Sequence, residues 1–176
     1  MWLIAELGLE HQRVDAGGSF GGLDSPEFLK MNPNGRIPVI DDDGIVIWES
    51  HTILRYLSAQ YGAGLFWPDN PAERSFTDRW MDWSLATLQP AFMDLFWGYY
   101  RTPENQRNWR AIRDAIERCT RCYQLLDRHM AGRKYIAGEQ LAMGDVEAWY
   151  RRLSERDAYR EHVMVPFEDL RARLAY

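Results

Sequence analysis

A chain of 176 residues can bury a sizeable core but supplies only one or two small domains, and a hydrophobic content of 46% with 14% aromatic residues excludes a disordered chain. The formal charge of −5, from 21 basic and 26 acidic residues, excludes the basic stripe of a nucleic-acid surface. No apolar run is long enough to span a membrane, and the first residues lack the basic and apolar regions of a secretion signal. With only two cysteines, the expected compartment is a reducing one, the cytoplasm.

In chain order, residues 1–7 complete a helix that Gly8 stops, and residues 10–14 are expected to form a short strand. Residues 16–24 hold four glycines and read as a loop; a glycine cluster cradles phosphate when a Gly-Lys-Ser/Thr follows, and none does. Ser25-Pro26-Glu27 opens a short helix, with Ser25 as cap and Pro26 in the first position. Two β-branched runs, residues 37–40 and 45–48, flank Asp41-Asp42-Asp43-Gly44, a strong hairpin signal. Ser50 then caps a helix marked by Ile53, Leu54, Leu57 and Tyr61.

Residues 62–71 contain two glycines and two prolines and read as a linker. Beyond it the periodicity is helical. Phe76, Trp80, Trp83, Thr87 and Leu88 mark a long helix over residues 72–101, and Ile112, Ile116, Cys119, Tyr123 and Leu126 mark another over residues 103–130, ended by Gly132. Residues 147–158 form a shorter, charge-paired helix. Cys119-Thr120-Arg121-Cys122 has the spacing of a redox motif but lies in mid-helix, away from the helix N-terminus that lowers a thiol pKa, so both cysteines are read as buried apolar residues. The scattered histidines, His11, His51, His129 and His162, are structural, and no metal site is expected.

The segment Asn32 to Pro38, followed by Glu49-Ser50, carries the chemistry. Pro38 opens a strand without an N–H to donate and pushes Ile37 toward an extended conformation, so Ile37 can pair its main chain with a peptide-like ligand. Ser50 at a helix N-terminus suits a carboxylate, and Glu49 beside it suits an ammonium. Together they describe the α-amino-acid end of a ligand.

These residues, with Ala5-Glu6-Leu7-Gly8-Leu9-Glu10, Trp48-Glu49-Ser50, Ile53-Leu54-Arg55-Tyr56-Leu57, Leu65-Phe66-Trp67-Pro68, Arg79-Trp80-Met81-Asp82-Trp83 and Tyr135-Ile136-Ala137-Gly138, resemble the bacterial theta-like glutathione transferases nearly end to end. The resemblance implies an α/β plus all-α fold: a thioredoxin-like glutathione-binding domain over residues 1–61, here incomplete, the linker over 62–71, and an all-helical domain over 72–176. It implies glutathione as co-substrate. Ile37, with a cis Pro38, would hold its cysteinyl backbone, Glu49 and Ser50 its γ-glutamyl end, and Arg36 would lie near its glycyl carboxylate. It also implies a small apolar electrophile as second substrate, bordered by Phe92, Phe96, Trp97, Tyr99 and Tyr100, which serve equally well as packing residues; Asp145 in a helix N-terminal box, its usual Ser or Thr partner replaced by Ala142; and a homodimer built on helices 50–61 and 72–101.

The chain departs from the family pattern twice. Met1-Trp2-Leu3-Ile4 aligns with the middle of the family's first helix, so a strand and the loop carrying the thiol-activating Ser, Cys or Tyr have no counterpart, about fifteen to twenty residues at typical element lengths. A second break, of about two to three dozen residues, falls near Val146. The expected function is therefore that of a glutathione transferase with no visible catalytic residue; the alternatives are a non-catalytic interaction module of the same fold and a decayed paralogue.

Overall fold

The structure is a computed structural model that describes residues 1–139, 141 and 145. Helix α1 (Trp2–Glu6) buries Trp2 and Leu3, and Gly8 turns the chain out of it at φ +63°. The strand expected over residues 10–14 does not form: the stretch is exposed, and the sheet among the described residues contains two strands, neither of them this one. A strand exists through its ladder partners, and alternation of side chains does not supply them. Helix α2 (Pro26–Met31) starts as its sequence dictates, Ser25 Oγ accepting the Phe28 N–H at 3.1 Å ahead of Pro26.

Strands β1 (Val39–Asp42) and β2 (Ile45–Trp48) pair antiparallel, from Val39 opposite Trp48 to Asp42 opposite Ile45. Asp43 (φ +50°) and Gly44 (φ +89°) make the two-residue turn, whose twist matches that of the strands, and Asp41 Oδ1 accepts the Gly44 N–H at 2.8 Å. Helix α3 (Ser50–Tyr61) begins one residue later, after Glu49. It lies back along the hairpin, and the Tyr56 and Tyr61 hydroxyls both donate to the Asp42 carboxylate, each with an approach of 2.7 Å.

The expected linker is a packed turn. The Gly62 carbonyl accepts the N–H groups of Leu65, Phe66 and Trp67, at 3.1, 2.9 and 3.2 Å, and the turn drives Phe66 into the interior at 2% exposure. Asn70 caps α4 (Pro71–Trp83) through the Ala72 N–H. The helical path then continues without a break through a π turn (Ser84–Leu88), α5 (Gln89–Leu95) and a second π turn (Phe96–Arg101). Pro90 accounts for the first: it cannot bond back four residues, and the Gln89 N–H reaches Ser84 O five residues back instead. A 3₁₀ turn (Glu104–Gln106) precedes α6 (Trp109–Met130), which begins later than the periodicity predicts because Asn108 is its cap, accepting the Ala111 N–H at 3.1 Å.

One core joins the hairpin unit to the helices. Trp2, Leu3, Ile53, Leu57, Phe66, Met81 and Leu141 form a single cluster, against which Ile40 and Ile47 of the hairpin pack. Arg55 of α3 bridges to Asp78 and Asp82 of α4, a half-exposed arrangement that contributes about 0–1 kcal/mol. A second cluster, Leu126, Met130 and Ile136, packs on Trp80, Trp83 and Leu88. Ile136 is gripped on both sides of its backbone, its N–H donating to Asp145 Oδ1 at 2.6 Å and its C=O meeting His129 Nε2 at 2.8 Å. Asp145, expected in a helix N-terminal box, thus holds the backbone of a residue nine positions before it. The helix expected over residues 147–158 and the break near Val146 lie outside the described residues.

This packing has two testable consequences. A Cβ on Gly62 would lie 3.0 Å from Ser58 O, 3.1 Å from Phe66 Cβ and 3.2 Å from Leu7 Cδ2, so Gly62→Ala should lower stability by about 1–3 kcal/mol, read as a shifted urea midpoint at constant slope. The second concerns pH. Hydrogen bonds from Tyr56 and then Tyr61 hold the Asp42 carboxyl below the usual carboxylate range, against a smaller opposing effect of burial, while Asp42 pushes Tyr56 up to about 12. Because the Asp42 pKa is depressed by folding, its stabilisation is complete above the ordinary carboxylate pKa and disappears as pH falls through the folded value. The stability gap between the wild type and the Tyr56→Phe/Tyr61→Phe double variant should therefore be constant near neutrality and shrink in acid; a gap independent of pH down to the acid limit would contradict the clamp.

Candidate functional site

Val39 and Trp48 are the last paired residues of the ladder, so Pro38 and Glu49 continue from it side by side at the open end of the hairpin, with neighbouring strands about 4.7–4.9 Å apart. Four of the five expected site residues, Ile37, Pro38, Glu49 and Ser50, are gathered here by a single turn of chain, and Arg36 adjoins them in sequence. All five are exposed.

The Ile37–Pro38 bond is cis, as the resemblance implies. Ile37 has 56% of its surface exposed, and its main chain enters no backbone hydrogen bond with the described residues. The loop leading to it is tightly built. Gly35 has φ +59°, which strains other residues, and a Cβ there would crowd Leu23 O at 3.1 Å. Asn32, at the end of α2, is buried and bonded throughout. Its Oδ1 accepts the Asn34 N–H at 3.0 Å and Asn34 Nδ2 at 3.1 Å, and its Nδ2 donates to Arg36 O at 2.7 Å.

On the other side of the site, Glu49 alone makes the corner from β2 to α3. It adopts φ +70°, ψ +119°, outside the ordinary left-handed region and costly for a residue with a Cβ, by about 1–3 kcal/mol. Glu49, not Ser50, is the N-cap: its C=O accepts the Ile53 N–H at 2.9 Å, and Ser50 is the first helical residue. The expected Ser50 cap fails because the strand runs straight into the helix, and the corner residue takes the cap position. The Glu49 side chain makes no capping hydrogen bond to this helix end. The first turn of α3 therefore presents main-chain N–H groups, the Ser50 hydroxyl and the positive end of the helix dipole to the same space, an arrangement that attracts a carboxylate.

Elsewhere, Phe92, Phe96 and Tyr100 stack in a ladder at helical spacing, with 6.0 Å between successive ring centroids. Phe92 and Tyr100 are 41% and 40% exposed, so the core reading of these two rings does not hold. The buried reading of the cysteines does: Cys119 and Cys122 both lie inside α6, and burial foremost raises the Cys119 thiol pKa, the opposite of an activated thiol. Sequence reasoning passed over Asn32 and the strain at Glu49. The first was detectable as an Asx turn, since Asn32 Oδ1 accepts the N–H two residues on.

The comparisons with known proteins point to one family. The family model described as the glutathione S-transferase N-terminal domain matches residues 1–59. The glutathione S-transferase GstB of Escherichia coli is 35% identical, over 93% of this chain and 90% of its own length. That alignment runs over 187 positions, more than the 176 residues here, so the E. coli protein has residues that this chain skips. Among solved structures, the theta class glutathione S-transferase of Xanthomonas axonopodis pv. citri with glutathione bound superposes with a TM-score of 0.85 at 38% identity, covering 94% of this chain and 90% of its own. The Bombyx mori glutathione transferase BmGSTD1 superposes with a TM-score of 0.70 at 28% identity, covering 82% of this chain and 65% of its own. With its thioredoxin-like hairpin unit followed by helices, the chain belongs to the glutathione S-transferase family.

Proposed function

We propose that the chain binds glutathione across the open end of the hairpin and, as a transferase, directs the bound thiol at small apolar electrophiles. One observation carries the reading: exposed Ile37, whose main chain makes no backbone hydrogen bond with the described residues, and the start of α3, where the Glu49 side chain makes no capping bond, meet at the same end of one hairpin. In this reading Ile37 pairs with the cysteinyl backbone as an added strand would. Ser50 and the first N–H groups of α3 hold the γ-glutamyl carboxylate, Glu49 accepts from the α-ammonium, and Arg36 faces the glycyl carboxylate. The Phe92–Phe96–Tyr100 ladder is the apolar surface for the electrophile. Conjugation breaks the S–H bond, its proton going to solvent, and forms a sulfur–carbon bond as the electrophile's leaving group departs with the electron pair of its own bond to that carbon; it needs the thiolate, which glutathione, as an ordinary thiol, holds in small part at neutral pH. None of the five residues is assigned to lower that pKa.

The rest of the assignment extends this reading: residues 1–61 as the glutathione-binding domain, 62–71 as the connection and 72–176 as the helical domain, in a cytoplasmic homodimer formed through α3 and the Pro71–Arg101 path. Exposed Phe76 and Leu85 on that path supply apolar area toward the more than about 1,000 Å² such an interface needs. Among the described residues no helix is long and apolar enough to cross a membrane. The second reading is a non-catalytic interaction module of the same fold.

Calorimetry with glutathione tests the site, and conjugation of a generic aromatic electrophile separates the two readings. Glu49→Gly removes the corner strain and the ammonium acceptor together, so stability should be unchanged or rise by about 1 kcal/mol while glutathione affinity falls about tenfold. A variant that binds like the wild type would remove Glu49 from the site. Conjugation by residues 1–176 should run at least about 10²-fold slower than in a chain supplied with a preceding strand and a loop bearing Ser, Cys or Tyr. Equal rates would place the activating group within residues 1–176.

A further inference from the structure

Resting on the glutathione reading and deepening it, we propose that Asn32 is a positioning residue of the site: its side-chain amide fixes the peptide unit between Arg36 and Ile37 so that the Ile37 N–H faces the ligand. Asn32 is 3% exposed and cannot touch a ligand seated on the outer surface, so its effect must pass through what it holds.

The main chain of Asn32 is fixed on both sides. Its N–H donates to Phe28 O at 2.9 Å, and its C=O accepts the Gly35 N–H at 3.0 Å. The side chain is fixed as well, and its two amide atoms are identified by their partners. The Asn34 main-chain N–H is only a donor and the Arg36 C=O only an acceptor, so exchanging Oδ1 and Nδ2 would lose both bonds. Nδ2 is therefore held 2.7 Å from Arg36 O.

Peptide geometry carries this to the ligand face. The C=O of Arg36 and the N–H of Ile37 belong to one planar peptide unit, and the cis bond of this loop is the next one along, Ile37–Pro38. In a planar trans unit the C=O and N–H point in opposite directions. The Arg36 C=O points toward a buried amide, so the Ile37 N–H points away from the interior, where a peptide carbonyl can accept from it. Gly35 supports the same path from behind: at φ +59° a Cβ there would stand 3.1 Å from Leu23 O, a tight contact in a conformation that strains other residues. If the peptide unit turned over, a carbonyl oxygen would face the ligand's carbonyl oxygen, and the strand-like pairing would fail.

Asn32→Asp is the sharpest test. It keeps the size of the side chain and an acceptor for Asn34 but has no N–H for Arg36 O. Glutathione binding by calorimetry should weaken about 10- to 100-fold, a loss on the scale produced by misplaced binding groups. In isotopically labelled protein, the Arg36 carbonyl and Ile37 amide resonances should move while most others do not. Wild-type affinity in Asn32→Asp, or weakened binding with both resonances unmoved, overturns the proposal. If Asn32→Asp does not fold, Asn34→Ala carries the same two readouts. It removes one of the three hydrogen bonds of the Asn32 side chain and should weaken binding about 2- to 5-fold with smaller shifts in the same resonances; no change in either overturns the proposal. Failure of the wild type to bind glutathione at millimolar concentration overturns the glutathione reading itself, and the resonances in Asn32→Asp then decide whether Asn32 sets the peptide unit.

Discussion

Burial of Phe66 together with Leu3, Ile53, Leu57 and Met81 is the constraint on which the rest of the molecule depends. A two-stranded hairpin is marginal in water on its own, because one ladder of four residue pairs cannot offset the entropy of ordering it. Here Ile40 and Ile47 lean on a core that they only partly supply. The larger share comes from α1 and α3 on one side and from α4 on the other. Phe66 is delivered between them by the turn in which one carbonyl, that of Gly62, accepts three N–H groups. The hairpin unit and the helices therefore form one packed body, although composition marks a linker between them.

The site inherits its rigidity from this core at one remove. α3 is held to the core by Ile53 and Leu57, to the hairpin turn by the Asp42 carboxylate through Tyr56 and Tyr61, and to α4 by Arg55. With the far end of the hairpin clamped to α3 and the near end joined to it covalently through Glu49, the angle between ladder and helix is fixed at both ends. That closure is what holds Glu49 in a backbone conformation an isolated strand-to-helix junction would avoid. It also brings the start of α3 beside Ile37.

Elements whose signals are local were legible in the sequence. The Asp-Gly turn has positive φ at both central residues, Ser25 caps α2 ahead of Pro26, and Gly8 turns the chain out of α1. The gathering of Ile37, Pro38, Glu49 and Ser50 was legible because a two-residue turn fixes register, and register fixes which residues share an end. Features that depend on distant partners were not. Residues 10–14 have the composition of a strand and no ladder partner among the described residues. The long helix reads as regular until Pro90, whose missing N–H is accommodated by a π turn that periodicity does not register. The strain at Glu49 is set by the position of α3, since a strand that enters a helix after one residue has no other place to turn.

A site made from main chain places its demands on residues behind the contact surface. The Ile37 side chain is solvent-facing, and most side chains at that position would leave its N–H and C=O where they are. What cannot vary freely is the shape of the loop: Gly35, where a Cβ would crowd Leu23 O at 3.1 Å, and a buried amide at Asn32 satisfied at both of its polar atoms. Each of these is a backbone or interior requirement, and each would ordinarily be counted as a folding residue. In the proposed site the distinction between folding and binding residues loses its usual meaning, because the donor that would face glutathione is the opposite end of a peptide unit whose other end is held by the fold.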